Sequence, residues 1–294
     1  MKVVLVGKGQ MLSAMIEGCL NCGGVDIVGV LRYENLTTPR WLLCLKDFFN
    51  PMPEMTLIKK YKLKDLGFNS VNSDAFKRFL LEKNIDVMLV GTWRERIKKE
   101  VFQIPKLASI NIHPSLLPKY RGPNPYLQNI KNREKVSGFT FHLIDEGFDT
   151  GAILWQKQIA IQPYFTSKEL RELTVFEVKN ELPRFLVQLD KGEIIPLEQN
   201  NAMASYFPNI VDEDKMLDFQ KETAEEIVAR VKALHPWLPC YITLGNDFYI
   251  ANPYKMEICK DVEQTSQTLD RKNNTITAIC KDGLAVVFKD VHKY

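Results

Sequence analysis

The chain has 294 residues, of which 45% are hydrophobic and 26% charged, and a formal net charge of +3. This composition is that of an ordinary globular protein and excludes disordered and collagen-like chains. No apolar run approaches the roughly 20 residues that a membrane-spanning helix needs. The first apolar run, residues 2–6, reaches Gly7 too early for a signal sequence. We therefore expect a cytoplasmic protein without a membrane partner.

Strand and helix patterns alternate along the first part of the chain. Strands are predicted at residues 2–6, 26–31, 85–90 and 108–112, and helices with one apolar face at residues 11–20 and 74–83. This alternation predicts an α/β fold, in which a parallel sheet carries helices on both faces. Binding and catalytic sites of such folds form at the carboxyl ends of the strands.

Gly7-Lys8-Gly9 follows the first predicted strand, where a dinucleotide-binding motif would stand. The third glycine of that motif would fall at position 12, which is Leu12. In that motif an acidic residue at the end of the second strand binds the ribose. The nearest acidic residue here, Glu34, lies beyond the end of that strand. The sequence therefore favours a tight turn over a dinucleotide site.

Cys19 and Cys22 form a CxxC pair, which is the spacing of many zinc and redox sites. A zinc site needs a second pair of ligands, and the sequence has no other Cys or His pair with suitable spacing. A redox pair opens a helix after a strand, whereas this pair closes one. The six cysteines mostly have apolar neighbours, so we expect buried free thiols and no bound metal.

Asn111-Ile112-His113 ends the fourth predicted strand, and Asp149 follows His113 by 36 positions. Residues two apart on a strand share a face, so the amide and the imidazole point the same way. An amide donor, an imidazole and a carboxylate are the set that moves an acyl group onto an amine. Taken singly, the histidine reads as a structural residue and Asp149-Thr150-Gly151 as a turn. Their joint appearance around the block Ser115-Leu116-Leu117-Pro118 favours a site, and makes Asn111, His113 and Asp149 the candidate catalytic residues.

The second half of the chain changes character after residue 190. A strand at 152–161 and a helix at 167–190 precede a polar, irregular segment. Thr223 and Glu226 form a capping box that opens a helix at 223–234. Short strands are predicted at 240–244, 248–250, 275–279 and 284–288, as in a small OB-like β-barrel. We predict a catalytic domain at 1–190, a linker at 191–204 and a barrel-like domain at 205–294.

The block Asn-Ile-His-Pro-Ser-Leu-Leu-Pro-Lys-Tyr-Arg-Gly at residues 111–122 is too long to arise by chance. It resembles the signature of folate-dependent formyltransferases, the family that includes methionyl-tRNA formyltransferases and amino-sugar N-formyltransferases. Residues 235–241, His-Pro-Trp-Leu-Pro-Cys-Tyr, resemble the turn that opens the C-terminal barrel of the methionyl-tRNA enzymes. The resemblance covers most of residues 80–294. It implies a Rossmann-like sheet without a nicotinamide cofactor and an enzyme that transfers formyl from 10-formyltetrahydrofolate to a primary amine.

The resemblance also implies roles for individual residues. Asn111 and His113 would donate hydrogen bonds to the carbonyl oxygen as it gains charge, and Asp149 would stabilise protonated His113 and help remove the proton of the amine. Two groups of residues would contact folate: the block Ser115, Leu116, Leu117 and Pro118, and, beside the pterin, a loop with His142, Ile144, Asp145 and Glu146.

Two cations of the block remain open in role. Lys119 and Arg121 would bind the glutamate tail of folate or a phosphate of the acceptor, or they are solvated charges. His142 also matches a histidine of the glycinamide ribonucleotide formyltransferases. That branch lacks a C-terminal barrel, which argues against it.

The acceptor is either methionyl-tRNA or a nucleotide-linked amino sugar. Residues 205–294 carry 11 lysines and arginines against 14 aspartates and glutamates, and the remainder carries 28 against 22, which is unlike a C-terminal tRNA clamp. Where the tRNA enzymes have a basic loop, residues 39–49 form an apolar run, followed by Lys59, Lys60, Lys62 and Lys64. An extra packed helix is favoured there over a partner-binding surface.

Two further classes of function stay open. A hydrolase that releases formate from the same folate would use the same three residues. A non-catalytic module that binds tRNA or another partner would leave them unexplained. The oligomeric state is not fixed by the sequence, and a homodimer is one alternative.

Overall fold

The computed structural model describes residues 1–260 and 267–294, with all side chains except those of residues 40, 41, 44 and 48. These residues form two compact units. The first comprises Met1–Arg121, Gly138–Gln158 and Leu173–Ser205, and the second comprises Gly122–Ser137, Ile159–Glu172 and Tyr206–Tyr294. Two segments of the predicted catalytic domain, 122–137 and 159–172, are therefore grouped with the C-terminal residues.

A six-stranded sheet is formed by strands within residues 2–160. Its strands are β1 (Lys2–Gly7), β2 (Asp26–Arg32), β3 (Val87–Gly91), β4 (Ala108–His113), β5 (Val136–Leu143) and β6 (Ile153–Ala160), in the order β2-β1-β3-β4-β5-β6. β1 pairs in parallel with β2 and β3, and β3 pairs in parallel with β4. The predicted α/β fold is confirmed.

One strand departs from the prediction. β5 runs antiparallel to β4 and carries His142, which the family resemblance implies to lie in a loop. The segment Val136–Leu143 is almost wholly buried, so its apolar and polar residues do not alternate in the way that marks a half-buried strand. His142 therefore has a fixed position across from Asn111.

Six helices precede β4 in the first unit. They are α1 (Gly9–Leu20), α2 (Glu34–Thr37), α3 (Arg40–Phe49), α4 (Pro53–Lys60), α5 (Asp74–Lys83) and α6 (Lys99–Phe102). Phe76 and Leu80 of α5 are fully buried in one core cluster with Val4 and Val90 of the sheet. Burial of such side chains contributes about 1.5–3 kcal/mol each, which holds α5 against the sheet.

The apolar run at 39–49 forms the extra helix that the sequence favours. Leu43 of α3 is buried, whereas Leu45 is 49% and Phe49 is 79% exposed. Asp47 on the same helix is buried and accepts hydrogen bonds from Arg32 at 3.3 and 2.9 Å. A buried charge is stable only when it is paired, so this contact ties α3 to the end of β2.

The described residues of the second unit form two complete helices and the C-terminal strands. The helices are α7 (Pro125–Lys131) and α9 (Ala224–Leu234), while α8 (Ser167–Asp190) has residues in both units. Short 3₁₀ turns lie at Asn201–Met203 in the first unit and Asp212–Lys215 in the second. None of the helices in the described residues is both long and apolar enough to span a bilayer.

The described C-terminal residues form two antiparallel sheets. The strands are β7 (Tyr241–Leu244), β8 (Asp247–Ile250), β9 (Met256–Cys259), β10 (Thr268–Asp270), β11 (Thr275–Ile279), β12 (Ala285–Phe288) and β13 (His292–Lys293). Their orders are β10-β11-β12-β9 and β13-β8-β7. A C-terminal β-sheet domain is consistent with the prediction, but the OB-like barrel is not confirmed.

The capping box at the start of α9 gives a stability prediction. Thr223 accepts a hydrogen bond from the Glu226 N–H at 3.3 Å, and Glu226 accepts one from the Thr223 N–H at 2.9 Å. We expect Thr223→Ala to lower the free energy of unfolding by about 1 kcal/mol, measured by urea denaturation. The same change at Thr56, exposed within α4, should lie within about 0.5 kcal/mol of wild type. Equal losses in both variants would contradict a capping role.

Candidate active site

Three polar side chains meet at the carboxyl end of β4. Asn111 and His113 lie two positions apart on this strand, so their side chains point to one face. Asp149, in the loop between β5 and β6, places Oδ1 3.3 Å from Asn111 Nδ2 and 3.5 Å from His113 Nδ1. The structure thus brings together the three residues that the sequence predicts as a catalytic set.

His113 is held in one tautomer by the backbone. Its Nε2 lies 2.8 Å from the carbonyl oxygen of Tyr120, which only accepts, so Nε2 carries the hydrogen and donates it. In the neutral ring, Nδ1 then has a lone pair and faces Asp149. Burial lowers the pKa of His113, and the Asp149 carboxylate and the Tyr120 carbonyl offset only part of that effect. The ring is therefore neutral near pH 7 and able to accept a proton at Nδ1.

His142 stands beside Asn111 on the neighbouring strand. Asn111 Nδ2 lies 3.0 Å from His142 Nε2, and His142 Nδ1 lies 2.8 Å from the carbonyl oxygen of Leu143. Since that carbonyl accepts, His142 Nδ1 is the donor and His142 Nε2 accepts from Asn111. Asn111 thus directs one N–H to His142 and the other to Asp149.

The loop that carries Asp149 has a demanding backbone. Asp149 has φ of +55°, in the left-handed region that Asp and Asn tolerate better than most residues. A Cβ at Gly151 would lie 1.9 Å from the carbonyl oxygen of Leu143, so only glycine fits there. Asp145 accepts hydrogen bonds from Thr150 Oγ1 at 2.8 Å, which closes the loop on itself. The loop backbone therefore decides where the Asp149 carboxylate points.

Comparison with known proteins assigns the family. A model of the family described as formyl transferase matches residues 1–186. The chain belongs to the formyl transferase family. The resemblance that the 111–122 block predicts is thereby confirmed.

Related sequences agree with this membership, and a solved structure shares the fold. A methionyl-tRNA formyltransferase of Thermotoga maritima is 30% identical over 246 residues, which are 84% of this chain and 76% of that protein. One from Halothermothrix orenii is 26% identical over 97% of this chain and 88% of its own. In structure, the chain is similar to an N-formyltransferase from Helicobacter canadensis, solved with folinic acid and dTDP-3-aminofucose, with a TM-score of 0.70 and 18% identity over the whole of both chains. At that identity the similarity shows the fold alone.

The residues predicted to contact folate in this formyltransferase differ in exposure. Ser115, Leu117 and His142 are buried, Leu116, Pro118, Ile144 and Asp145 are partly exposed, and Glu146 is exposed. The Ser115 hydroxyl donates to the carbonyl oxygen of Lys119 at 2.8 Å, and Glu146 pairs with Lys99 at 2.9 Å. The buried members thus support the loops, and the partly exposed ones form the accessible edge.

Arg121 has internal partners that the sequence does not show. Its Nε and Nη2 donate to Gln199 Oε1 at 3.1 and 2.7 Å, and Nη2 donates to Asn201 Oδ1 at 2.8 Å. Lys119, the other cation of the block, is exposed. Gln199 lies in the polar segment predicted as a linker, where composition gives no signal for a side chain that reaches the site.

The turn after β1 is hydrogen-bonded to the carboxylate of Glu54, a residue distant in sequence. Gly9, at φ +61°, donates its N–H to Glu54 Oε1 at 3.1 Å, and Glu54 is fully buried. Burial raises the pKa of Glu54. A phosphate at the N-terminus of α1 would have to displace this side chain, which accords with a tight turn rather than a dinucleotide site.

The cysteines within the described residues are free thiols, namely Cys19, Cys22, Cys240, Cys259 and Cys280. Burial raises the pKa of the Cys240 thiol to about 12. Cys44, the sixth cysteine, has a side chain outside the described part. Among the side chains that the structure describes, no three from His, Cys, Asp or Glu are grouped as metal ligands.

Proposed function

We propose that this formyltransferase moves the formyl group of 10-formyltetrahydrofolate onto a primary amine in the cytoplasm. One observation carries the proposal: His113 Nδ1 and Asn111 Nδ2 both lie within 3.5 Å of Asp149 Oδ1, at the carboxyl end of β4. This places a proton acceptor, a hydrogen-bond donor and a carboxylate around one point, as transfer to an amine needs.

The first step is attack of the neutral amine on the formyl carbon. As the C–N bond forms, the carbonyl electron pair moves onto oxygen. We assign Asn111 as a donor to that oxygen, and its amide gives up the bond to His142 or Asp149 to reach it. A donor of this kind contributes about 3 kcal/mol to stabilisation of the transition state.

The second step is proton removal from the attacking nitrogen. His113 Nδ1 accepts this proton, and the imidazolium that forms faces the Asp149 carboxylate and donates to it or to the oxyanion. The proton then passes to the folate nitrogen as its bond to the formyl carbon breaks, which yields tetrahydrofolate and the formamide. Bonds, electrons and protons balance without a further reactant.

We place folate along the partly exposed edge formed by Leu116, Pro118, Ile144 and Asp145. The folinic acid in the Helicobacter canadensis structure supports a folate co-substrate for a chain of this fold. Substitution of these side chains should raise the KM for folate.

Two acceptors are supported by different observations. The relatives named methionyl-tRNA formyltransferase span 84% and 97% of this chain, which favours methionyl-tRNA. The net negative charge of residues 205–294 and the amino sugar in the structure of the Helicobacter canadensis protein favour a nucleotide-linked amino sugar.

A product screen tests the function and separates the acceptors. Purified protein is incubated with 10-formyltetrahydrofolate and either methionyl-tRNA or a panel of amino-sugar nucleotides, and the formylated products are detected by mass spectrometry. We expect one class to be formylated. Formate release at an equal rate without any acceptor would show a hydrolase instead, and a lack of any turnover would show a binding module.

Salt dependence of binding gives a second test of the acceptor. Each phosphate neutralised on single-stranded or duplex nucleic acid adds about −0.7 to −0.9 to the log–log slope of affinity against salt. If methionyl-tRNA is the acceptor, replacement by Gln of the exposed Lys59, Lys60, Lys62 and Lys64 should remove much of that slope. The matched control replaces Lys272, Lys281, Lys289 and Lys293 in the second unit. A slope lost only in the control would place the tRNA contact on the C-terminal unit.

A further inference from the structure

Gln199 connects the loop that carries Asp149 with the segment that orients His113. Its Nε2 donates to the carbonyl oxygens of Asp149 at 2.9 Å and Gly151 at 2.8 Å. Its Oε1 accepts the two hydrogen bonds from Arg121. A guanidinium only donates, so the orientation of the Gln199 amide is fixed by its partners.

The other end of this connection is the segment behind His113. Arg121 follows Tyr120, whose carbonyl oxygen holds His113 Nε2 at 2.8 Å. Ser205 fixes the same segment, because its hydroxyl accepts from the Tyr120 N–H at 2.8 Å and its carbonyl oxygen accepts from the Arg121 N–H at 2.8 Å. The loop of Asp149 and the segment that orients His113 are thus attached to one stretch of chain, 199–205.

Such an attachment stabilises the backbone geometry of Asp149. Its left-handed φ of +55° costs about 1 kcal/mol or more and persists only where the surroundings impose it. The two bonds from Gln199 hold the carbonyl oxygens on both sides of Thr150. Leu197 adds a pair of backbone bonds to Ile153, each 2.8 Å, that anchor the segment beside the loop.

We propose that Gln199 is a positioning residue that sets the distance between Asp149 and His113 by linking the two loops, and that its substitution uncouples the carboxylate from the imidazole. This inference rests on the proposed function for its kinetic consequence. Its structural consequence, a change in the environment of His113, is independent of any reaction.

Two variants distinguish the bonds of Gln199 to Arg121 from its bonds to the carbonyl oxygens of Asp149 and Gly151. Gln199→Met removes the donors and the acceptor with little change in volume. Gln199→Glu keeps an acceptor for Arg121 but loses the donors to the carbonyl oxygens. We expect both to lower kcat at least tenfold, with the KM values for folate and amine within twofold of wild type. Gln103→Glu on the exposed surface and Asn201→Ala, which removes a different side-chain partner of Arg121, should leave kcat within twofold.

The pKa of His113 distinguishes a positioning role of Gln199 from a purely structural role, which would leave that pKa unchanged. Asp149 raises the pKa of His113, so withdrawal of its carboxylate should lower that pKa in Gln199→Met. The four histidines are assigned by NMR and titrated in both proteins. If Gln199→Met does not fold, Gln199→Asn, whose amide is one methylene too short to reach both carbonyls, replaces it.

The outcomes are distinguishable. Suppose that the wild type transfers formyl and that Gln199→Met has an unchanged kcat and an unchanged His113 titration. This result overturns the inference and leaves the proposed function standing. Wild-type rates in Gln199→Glu also overturn it, because the donors would then be dispensable. If the wild type transfers formyl to no amine, the proposed function fails, and the titration of His113 alone decides whether Gln199 positions Asp149.

Discussion

Replacement of His113 by Ala should lower kcat for formyl transfer by about 10³-fold, because it removes the ring nitrogen that accepts the proton of the amine in the proposed step. Binding of folate should remain within about threefold of wild type, since the ring is 4% exposed and offers folate little contact surface. The measurement is steady-state transfer with the acceptor from the product screen, alongside folate binding by fluorescence titration.

A buried ring leaves a cavity when it is removed, so stability must be checked separately. His113→Gln fills most of that space and should be equally slow, because an amide cannot accept the proton. His292→Ala, at an exposed position in the C-terminal sheets, should transfer at the wild-type rate. A His113 variant that turns over within tenfold of wild type would remove this residue from the mechanism.

Much of the fold is predictable because its signals are local. The apolar run of β1, the one-sided face of α5 and the capping box of Thr223 each depend on residues close in sequence. β5 escapes such reasoning because both of its faces are buried, which hides the alternation that marks a strand. The pairing of the C-terminal strands into two sheets is set by contacts distant in sequence, so short strand signals alone suggested a barrel.

The site divides in the same way. The shared direction of Asn111 and His113 follows from the two-residue period of a strand. The approach of Asp149 follows from the family resemblance and not from any local pattern. The hydrogen bond between the Asn111 amide and His142 depends on the register of β4 against β5, which cannot be predicted from the residue types. Gln199 is more remote still, since the two carbonyl groups that it binds lie 48 and 50 positions earlier in the chain and Arg121 lies 78 earlier.

Replacement of Asp149 by Asn should lower kcat by about 10²-fold and move the acid limb of the pH–rate profile to lower pH. Asn is isosteric and tolerates the left-handed φ of +55°, so the loop backbone is expected to persist. The carboxylate favours the imidazolium and so raises the pKa of His113, against burial, which lowers it. Without the carboxylate, the pKa of His113 falls further, and the neutral, proton-accepting ring survives to lower pH.

The same linkage governs stability. A histidine whose pKa in the folded protein lies below its ordinary value of about 6.5 binds fewer protons folded than unfolded, so stability is lost as pH falls below that value. Asp149→Asn should steepen this loss, measured as the free energy of unfolding between pH 7.5 and about pH 5. Asp26→Asn, at an exposed position on β2, should leave both the rate profile and the stability profile unchanged. An acid limb that moves to higher pH in Asp149→Asn would show that the group titrating in that limb is not His113.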